Sequence, residues 1–316
     1  MNRRAALKKI YNVIVTVGAS SFFTFDDLLA IDKENMQFDK PNIVWLQGAS
    51  CSGCSLSMTN IEDISFIDFI LNFVNIIYHP NLSSRADKDI PGLLNKVKKE
   101  LDNNYLLVIE GSIPTQLPHA CLLADTPFIE WVTTMSKHSN TCISVGTCAS
   151  FSGITNMRGT FTGASPLKQV LKQQNINKPI INLPNCPIKP EHFIYTILYY
   201  IKFKKLPPLD SQSRPKIFFS TTIHKSCTRY HEFKEDIFAT KIGEKGCLLE
   251  LGCQGPVTKS DCMIIGHNGN TNNCIKAGHP CIGCASEHFP RQIMFRSYYD
   301  ERVVTPLKKI YFEQSK

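Results

Sequence analysis

The chain has 316 residues, 43% of them hydrophobic, and a formal charge of +8. That apolar content is enough for an ordinary globular core and excludes wholesale disorder, and the length suggests two domains. The lysines fall in short scattered groups such as Lys8-Lys9, Lys98-Lys99 and Lys204-Lys205. A nucleic-acid binder concentrates its charge in a basic stripe with interleaved aromatics. None is present here, so the excess reads as a solvated surface that steers mildly toward acidic partners.

Residues 1–40 open with Asn2-Arg3-Arg4-Ala5-Ala6-Leu7-Lys8-Lys9, followed by an uncharged stretch from Ile10 to Phe25. Sixteen residues are short for a membrane span, and no longer apolar run follows, so no transmembrane segment is expected. An arginine pair before a modest apolar stretch reads as a twin-arginine export signal, a route that carries proteins already folded to the periplasm. Ala6 stands where that motif usually has Phe. The alternative is an ordinary basic helix on a cytoplasmic protein.

From residue 41 to 206 short β-branched runs alternate with amphipathic segments. The expected strands are Ile43–Leu46, Val74–Tyr78, Tyr105–Ile109, Cys142–Val145 and Pro179–Asn182. The expected helices are Ile64–Phe73, Leu93–Leu101, Pro127–Lys137, Pro166–Gln173 and Glu191–Lys202. This alternation predicts an α/β domain built on a parallel sheet covered on both faces. Pro207-Pro208 reads as a linker. In residues 207–316 the periodicity weakens, Gly and Pro accumulate, and seven of the thirteen cysteines lie between Cys227 and Cys284. A small, irregular domain with this composition draws folding free energy from metal–thiolate bonds.

An odd cysteine count in a chain of this length does not suit a disulfide framework. In open α/β sheets, ligands bind beyond the carboxyl ends of the strands. The expected strands run into Gln47-Gly48-Ala49-Ser50-Cys51-Ser52-Gly53-Cys54, Glu110-Gly111-Ser112, Gly146-Thr147-Cys148-Ala149 and Leu183-Pro184-Asn185-Cys186-Pro187. Four thiols therefore meet at one sheet edge with Glu110 beside them. Four thiolates make a 4Fe–4S site; a tetrahedral zinc also accepts four, although one close pair with two distant singles favours the cluster. Cys121 and Cys142 sit in apolar surroundings and read as inert. A second set comprises His224, Cys227, Cys247, Cys253, Cys262, Cys274, Cys281 and Cys284, enough for two further four-iron clusters.

These motifs, in order from Asn42 to Cys284, resemble the small subunit of nickel–iron hydrogenases. Trp45-Leu46, Cys51-x-x-Cys54, Glu110-Gly111, Gly146-Thr147-Cys148-Ala149 and Cys186-Pro187 are similar to the proximal-cluster motifs. His224-x-x-Cys227, Cys247 and Gly252-Cys253-x-Gly255-Pro256 resemble the distal-cluster motif, in which a histidine replaces one cysteine. Cys262 with Ala277-Gly278-His279-Pro280-Cys281-x-Gly283-Cys284 resembles the medial-cluster motif. The resemblance implies a flavodoxin-like N-terminal domain with the proximal cluster on Cys51, Cys54, Cys148 and Cys186. It implies a C-terminal domain with the distal cluster on His224, Cys227, Cys247 and Cys253 and the medial one on Cys262, Cys281, Cys284 and a further residue. It places the Ni–Fe centre, and with it catalysis, in a partner large subunit. This chain then relays electrons through iron–sulfur clusters to a cytochrome or other acceptor. Glu110 has two readings, a proton or hydrogen-bond role near the subunit interface and a structural cap.

The departures are informative. Many relatives have proline where this chain has Cys274, and hold a three-iron medial cluster. The extra thiolate predicts that all three clusters are 4Fe–4S. Ser52-Gly53 and Gly153 stand where the six-cysteine proximal subtype has extra cysteines, which predicts the ordinary four-cysteine site. Asn185 replaces a usual Gly and Asn273 a usual Trp. The chain ends at Lys316 in a mixed polar tail, without the C-terminal membrane helix of many relatives. These changes leave a second reading, a divergent paralogue serving a non-hydrogenase partner as an electron-transfer module.

Overall fold

The computed structural model describes residues 39–290 apart from 62–63, 86–87 and 158–160. The arginine-pair segment and the polar C-terminal tail lie outside the described residues. Two compact units divide at Ile217/Phe218.

The first unit is built on five strands: β1 (Asn42–Gln47), β2 (Asn75–Tyr78), β3 (Leu106–Glu110), β4 (Thr141–Val145) and β5 (Ile180–Leu183). They form one parallel sheet in the order β2-β1-β3-β4-β5. This is the flavodoxin-like order, whose reversal point lies between β1 and β3. Every residue of β3 and β4 is buried. That is why their sequences, Leu-Leu-Val-Ile-Glu and Thr-Cys-Ile-Ser-Val, lack a solvent-facing alternation.

The helices are α1 (Gly53–Ser57), α2 (Phe66–Phe73), α3 (Asp89–Glu100), α4 (Phe128–His138), α5 (Gly146–Phe151), α6 (Leu167–Gln173) and α7 (Pro190–Phe203). Ser65 caps α2 by accepting the Asp68 N–H at 3.0 Å, the usual use of an N-cap hydroxyl. Pro190 opens α7 where its missing N–H costs nothing. Helix α3 begins at Asp89, four residues before the apolar periodicity at Leu93, because Pro91-Gly92 sits in the tolerant first turn rather than ending the helix. One core packs Val44, Leu46, Leu107, Ile109 and Cys142 from the sheet against Leu94, Val97, Val132, Met135 and Val170 from α3, α4 and α6.

Pro207-Pro208 lies within this unit. Beyond it, Asn182 of β5 donates its N–H to the Ser213 carbonyl and Nδ2 to that of Gln212, both at 2.8 Å. Arg214 binds both sides of the turn, meeting Asp210 Oδ2 through Nε at 2.9 Å and Nη2 at 2.8 Å. These bonds keep residues 210–214 on the sheet edge.

In the second unit, paired backbone among the described residues is limited to isolated bridges such as Thr222 with Lys259 and Phe238 with Cys247. Helical turns are short, as at Tyr230–Lys234 and Leu248–Leu251. Its buried cluster is Ile223, Ala239, Leu248, Leu251 and Ile275 together with Cys253, Cys262 and Cys281. No helix among the described residues is long and apolar enough to cross a membrane.

Candidate metal centres

At the sheet's carboxyl edge the loops after β1 and β3 are zipped together. Gly48 donates to the Glu110 carbonyl at 2.8 Å, and Ala49 and Ser112 exchange backbone bonds at 2.9 and 3.1 Å. The chain then turns through Cys51 into α1, which carries Cys54. Helix α5 starts directly from β4 and carries Cys148, and Cys186 follows β5. Thr147 and Asn185 clasp the last two segments, with the Thr147 N–H on the Asn185 carbonyl at 3.1 Å and the Asn185 N–H on Thr147 Oγ1 at 3.0 Å. Asn185 adopts φ 148°, which explains why Gly is usual there.

The four thiols share one neighbourhood: Cys54 feels Cys148 and Cys186, and both of those feel Cys51. Burial pushes the Cys54 thiol well up, with Glu110 adding to the effect. Burial likewise raises Cys148, and Cys186 to about 11. Backbone N–H groups are aimed at the sulfurs. Gly53 donates to Cys51 Sγ at 3.4 Å, Ile188 bonds Cys54, and Ile154 and Thr155 bond Cys148. Gly146 is required here: at φ +79° a Cβ would lie 2.4 Å from Cys54 Sγ.

Glu110 is 1% exposed and accepts six donors. Oε1 takes Ser50 Oγ (3.2 Å) and the N–H groups of Cys54 (3.1 Å) and Ser55 (3.3 Å). Oε2 takes Trp45 Nε1 (3.0 Å), Gln47 Nε2 (2.9 Å) and Ser55 Oγ (2.5 Å). Ser55 also meets His79 Nε2 at 3.2 Å. Of the two readings of Glu110, the geometry supports the cap: it accepts the first N–H groups of α1 and fixes the turn that carries Cys51 and Cys54.

In the second unit His224, Cys227, Cys247 and Cys253 line one small cavity with Arg229, Leu248, Gly255 and Ile275. Rings flank the His224 imidazole edge-on, Tyr230 at 5.1 Å and Phe233 at 4.7 Å between centroids. Burial lowers its pKa to about 4, leaving a neutral ring suited to ligation. Arg229 donates its N–H to Cys227 Sγ at 3.4 Å and reaches the Glu244 and Gly246 carbonyls at 2.9 and 2.8 Å, fixing the approach to Cys247. Burial raises the Cys247 thiol to about 11 and that of Cys253 to about 12.

The remaining four thiols lie beside this set. Among thiols Cys281 feels Cys253 most, then Cys284 and Cys262, and Cys274 feels Cys262. Gly283 donates to Cys281 Sγ at 3.4 Å and Ile282 bonds Cys274. The two groups touch where the Cys281 N–H meets Cys253 Sγ at 3.4 Å and the Gln254 N–H meets the Cys281 carbonyl at 2.8 Å.

Backbone donors to sulfur recur two residues after a cysteine: Gly53, Arg229, Leu249, Gly255 and Gly283. Glycine at three of them was the legible signal. Among the described residues no three His, Cys, Asp or Glu side chains converge closely enough to hold a single ion. A zinc ion needs its ligands about 2.0–2.3 Å from one centre, whereas a cluster spreads its thiolates over separate irons. Raised thiols facing N–H donors around such a space fit a cationic iron–sulfur core. Cys142 is buried in β4 beside Ser139 Oγ at 3.3 Å, and Cys121 is only partly buried against the same core.

Residues 219–296 match the C-terminal family of the NiFe/NiFeSe hydrogenase small subunit. Residues 51–200 match the family of the NADH ubiquinone oxidoreductase 20 kDa subunit. The uptake hydrogenase small subunit of Alcaligenes hydrogenophilus is 31% identical over 92% of this chain and 79% of its own length. The periplasmic NiFe hydrogenase small subunit 1 of Nitratidesulfovibrio vulgaris is 31% identical over 92% and 90%. Among solved structures, the Ni–Fe–Se hydrogenase of Desulfomicrobium baculatum superposes with a TM-score of 0.76 at 28% identity, covering 82% of this chain and 99% of that one. Sheet order, motif order and relatives converge, and the chain belongs to the small-subunit family of the nickel–iron hydrogenases.

Proposed function

We propose that this chain carries electrons, released from hydrogen at a Ni–Fe centre in a partner large subunit, through three 4Fe–4S clusters to an external acceptor. Cys51, Cys54, Cys148 and Cys186 would hold the proximal cluster. Cys262, Cys274, Cys281 and Cys284 would hold the medial one, and His224, Cys227, Cys247 and Cys253 the distal one. Each cluster would supply one-electron steps, with potentials set by burial and by N–H···S bonds.

The observation that supports this reading is the gathering of Cys51, Cys54, Cys148 and Cys186 at the sheet's carboxyl edge and of His224, Cys227, Cys247 and Cys253 around one cavity, with Cys262, Cys274 and Cys284 beside Cys281 next to it. Electrons would leave near His224, the ligand that the distal-cluster motif supplies, toward a cytochrome or similar redox protein. Cys274 supports a four-iron medial cluster. The arginine pair supports export to the periplasm by the twin-arginine route, and the periplasmic relative from Nitratidesulfovibrio vulgaris supports the same destination.

The test is copurification of the tagged chain under anaerobic conditions. The expected product contains a nickel-bearing large subunit and about four iron and four acid-labile sulfide per site, and reduces dye with hydrogen. A complex with iron and sulfide but no nickel partner would overturn the hydrogenase assignment, and zinc in place of iron would overturn the relay itself.

A further inference from the structure

Cys274 is the thiol that would turn a three-iron medial site into a four-iron one, yet it lies in a turn with neither helix nor strand to hold it. Its neighbour Asn273 is 7% exposed and uses both ends of its side-chain amide. Nδ2 donates to the Cys262 carbonyl at 2.9 Å, and Oδ1 accepts the Lys276 N–H at 3.0 Å. The second bond closes a local turn around Cys274 and Ile275, the conformation that Asn side chains stabilise by mimicking backbone. Two backbone bonds continue that turn, Ala277 N–H to the Asn273 carbonyl at 3.0 Å and His279 N–H to the Cys274 carbonyl at 2.9 Å. The first side-chain bond fastens it to the segment that carries Cys262. A tryptophan at this position offers one indole donor and no acceptor, so it cannot make both bonds.

We propose that Asn273 is the positioning residue that makes Cys274 a ligand, pinning its turn to Cys262 so that four thiolates rather than three converge on the medial site. Asn273 and Cys274 then form one functional pair, and the thiol alone is insufficient. The proposal rests on the reading of the medial site as a four-iron cluster.

The test uses the heterodimer purified anaerobically, with iron determination and EPR before and after stoichiometric ferricyanide. In the parent, no three-iron signal is expected before oxidation. Asn273→Ala loses both bonds; on oxidation ferricyanide takes one electron, the iron no longer held by Cys274 leaves as Fe2+, and a 3Fe–4S core remains. The expected readout is a three-iron signal from most medial sites and a loss of about one iron per heterodimer, with proximal and distal spectra unchanged. Asn273→Asp keeps the acceptor for Lys276 and loses the donor to Cys262, and a smaller fraction should convert. If Asn273→Ala does not assemble, Asn273→Asp decides on the same spectrum. A parent that is mainly three-iron as isolated would remove the four-iron reading and this proposal with it. A four-iron parent whose variants keep their iron equally well would overturn the role of Asn273 alone.

Discussion

The two units solve ligand placement in opposite ways. In the first, the buried cluster behind the sheet includes a single cysteine, Cys142, which stands outside the proposed ligand set, and the candidate ligand thiols hang from strand ends at its margin. In the second, Cys253, Cys262 and Cys281 are themselves part of the buried cluster, alongside only a few aliphatic side chains. A scaffold that exists without its cofactor can hold thiols at fixed points. A segment whose core is made of ligands is ordered by the cofactor.

The sharpest way to break this comparison is to remove the iron. Chelation of the isolated chain under mild oxidation is expected to cost amides in residues 218–290 more than about 4 kcal/mol of hydrogen-exchange protection. The strands Leu106–Glu110 and Thr141–Val145 should stay protected, since the aliphatic packing around them needs no metal. Equal loss in both units would erase the distinction.

Next in size is Glu110→Gln. Each carboxylate oxygen accepts three donors, so an amide NH2 placed on either side faces other donors. The cost should be about 2–4 kcal/mol, seen as a lower melting temperature together with a perturbed proximal-cluster spectrum. An unchanged melt and spectrum with slow turnover would instead make Glu110 a proton carrier.

A smaller effect follows from His79. Burial lowers its pKa to about 4, against the opposing pull of Glu110, from about 6.5 in the unfolded chain. Between those values the unfolded state binds more protons. Stability is therefore fully present above pH 6.5 and declines as pH falls toward 4, by about 1 kcal/mol per pH unit in mid-window. His79→Gln should flatten the difference in melting temperature between pH 6 and pH 5, while acid lability of the clusters is common to both proteins. An unchanged slope would rule out His79 as its source.

Much of the first unit was legible because β-branched runs and 3.6-residue periodicity report burial directly; all five strands and five of its helices lie where those patterns put them. Helices α1 and α5 were not legible. Gly53–Ser57 and Gly146–Phe151 are mostly small residues without periodicity, and their starts are set by the Glu110 carboxylate and by the positive φ of Gly146. Residues 210–214 read as part of the irregular C-terminal region because the bonds that bind them to β5 come from Asn182, far away in sequence. In the second unit the candidate ligand residues stood out as motifs, but the path of the chain was not legible. Asn273 registered only as a substitution, since its partners Cys262 and Lys276 are defined by a turn that no periodicity marks.

The smallest expected effect bears on what makes a cysteine a ligand at all. Cys142 and Cys281 are both buried, at 0% and 7% exposure, and burial raises both thiols. Their neighbours differ: Cys142 faces the hydroxyls of Ser139 and Ser136, whereas Cys281 faces Cys253, Cys284 and Cys262. Cys142→Ala should therefore cost about 1 kcal/mol, as for a small cavity beside a retained hydroxyl, with iron content and all three cluster spectra unchanged. Cys281→Ser, a change of one atom at similar burial, should abolish the native medial signal. Were iron lost from Cys142→Ala, the division between scaffold thiols and ligand thiols would have to be redrawn around β4. Were it retained by both variants, shared neighbourhood would not identify a ligand in either unit.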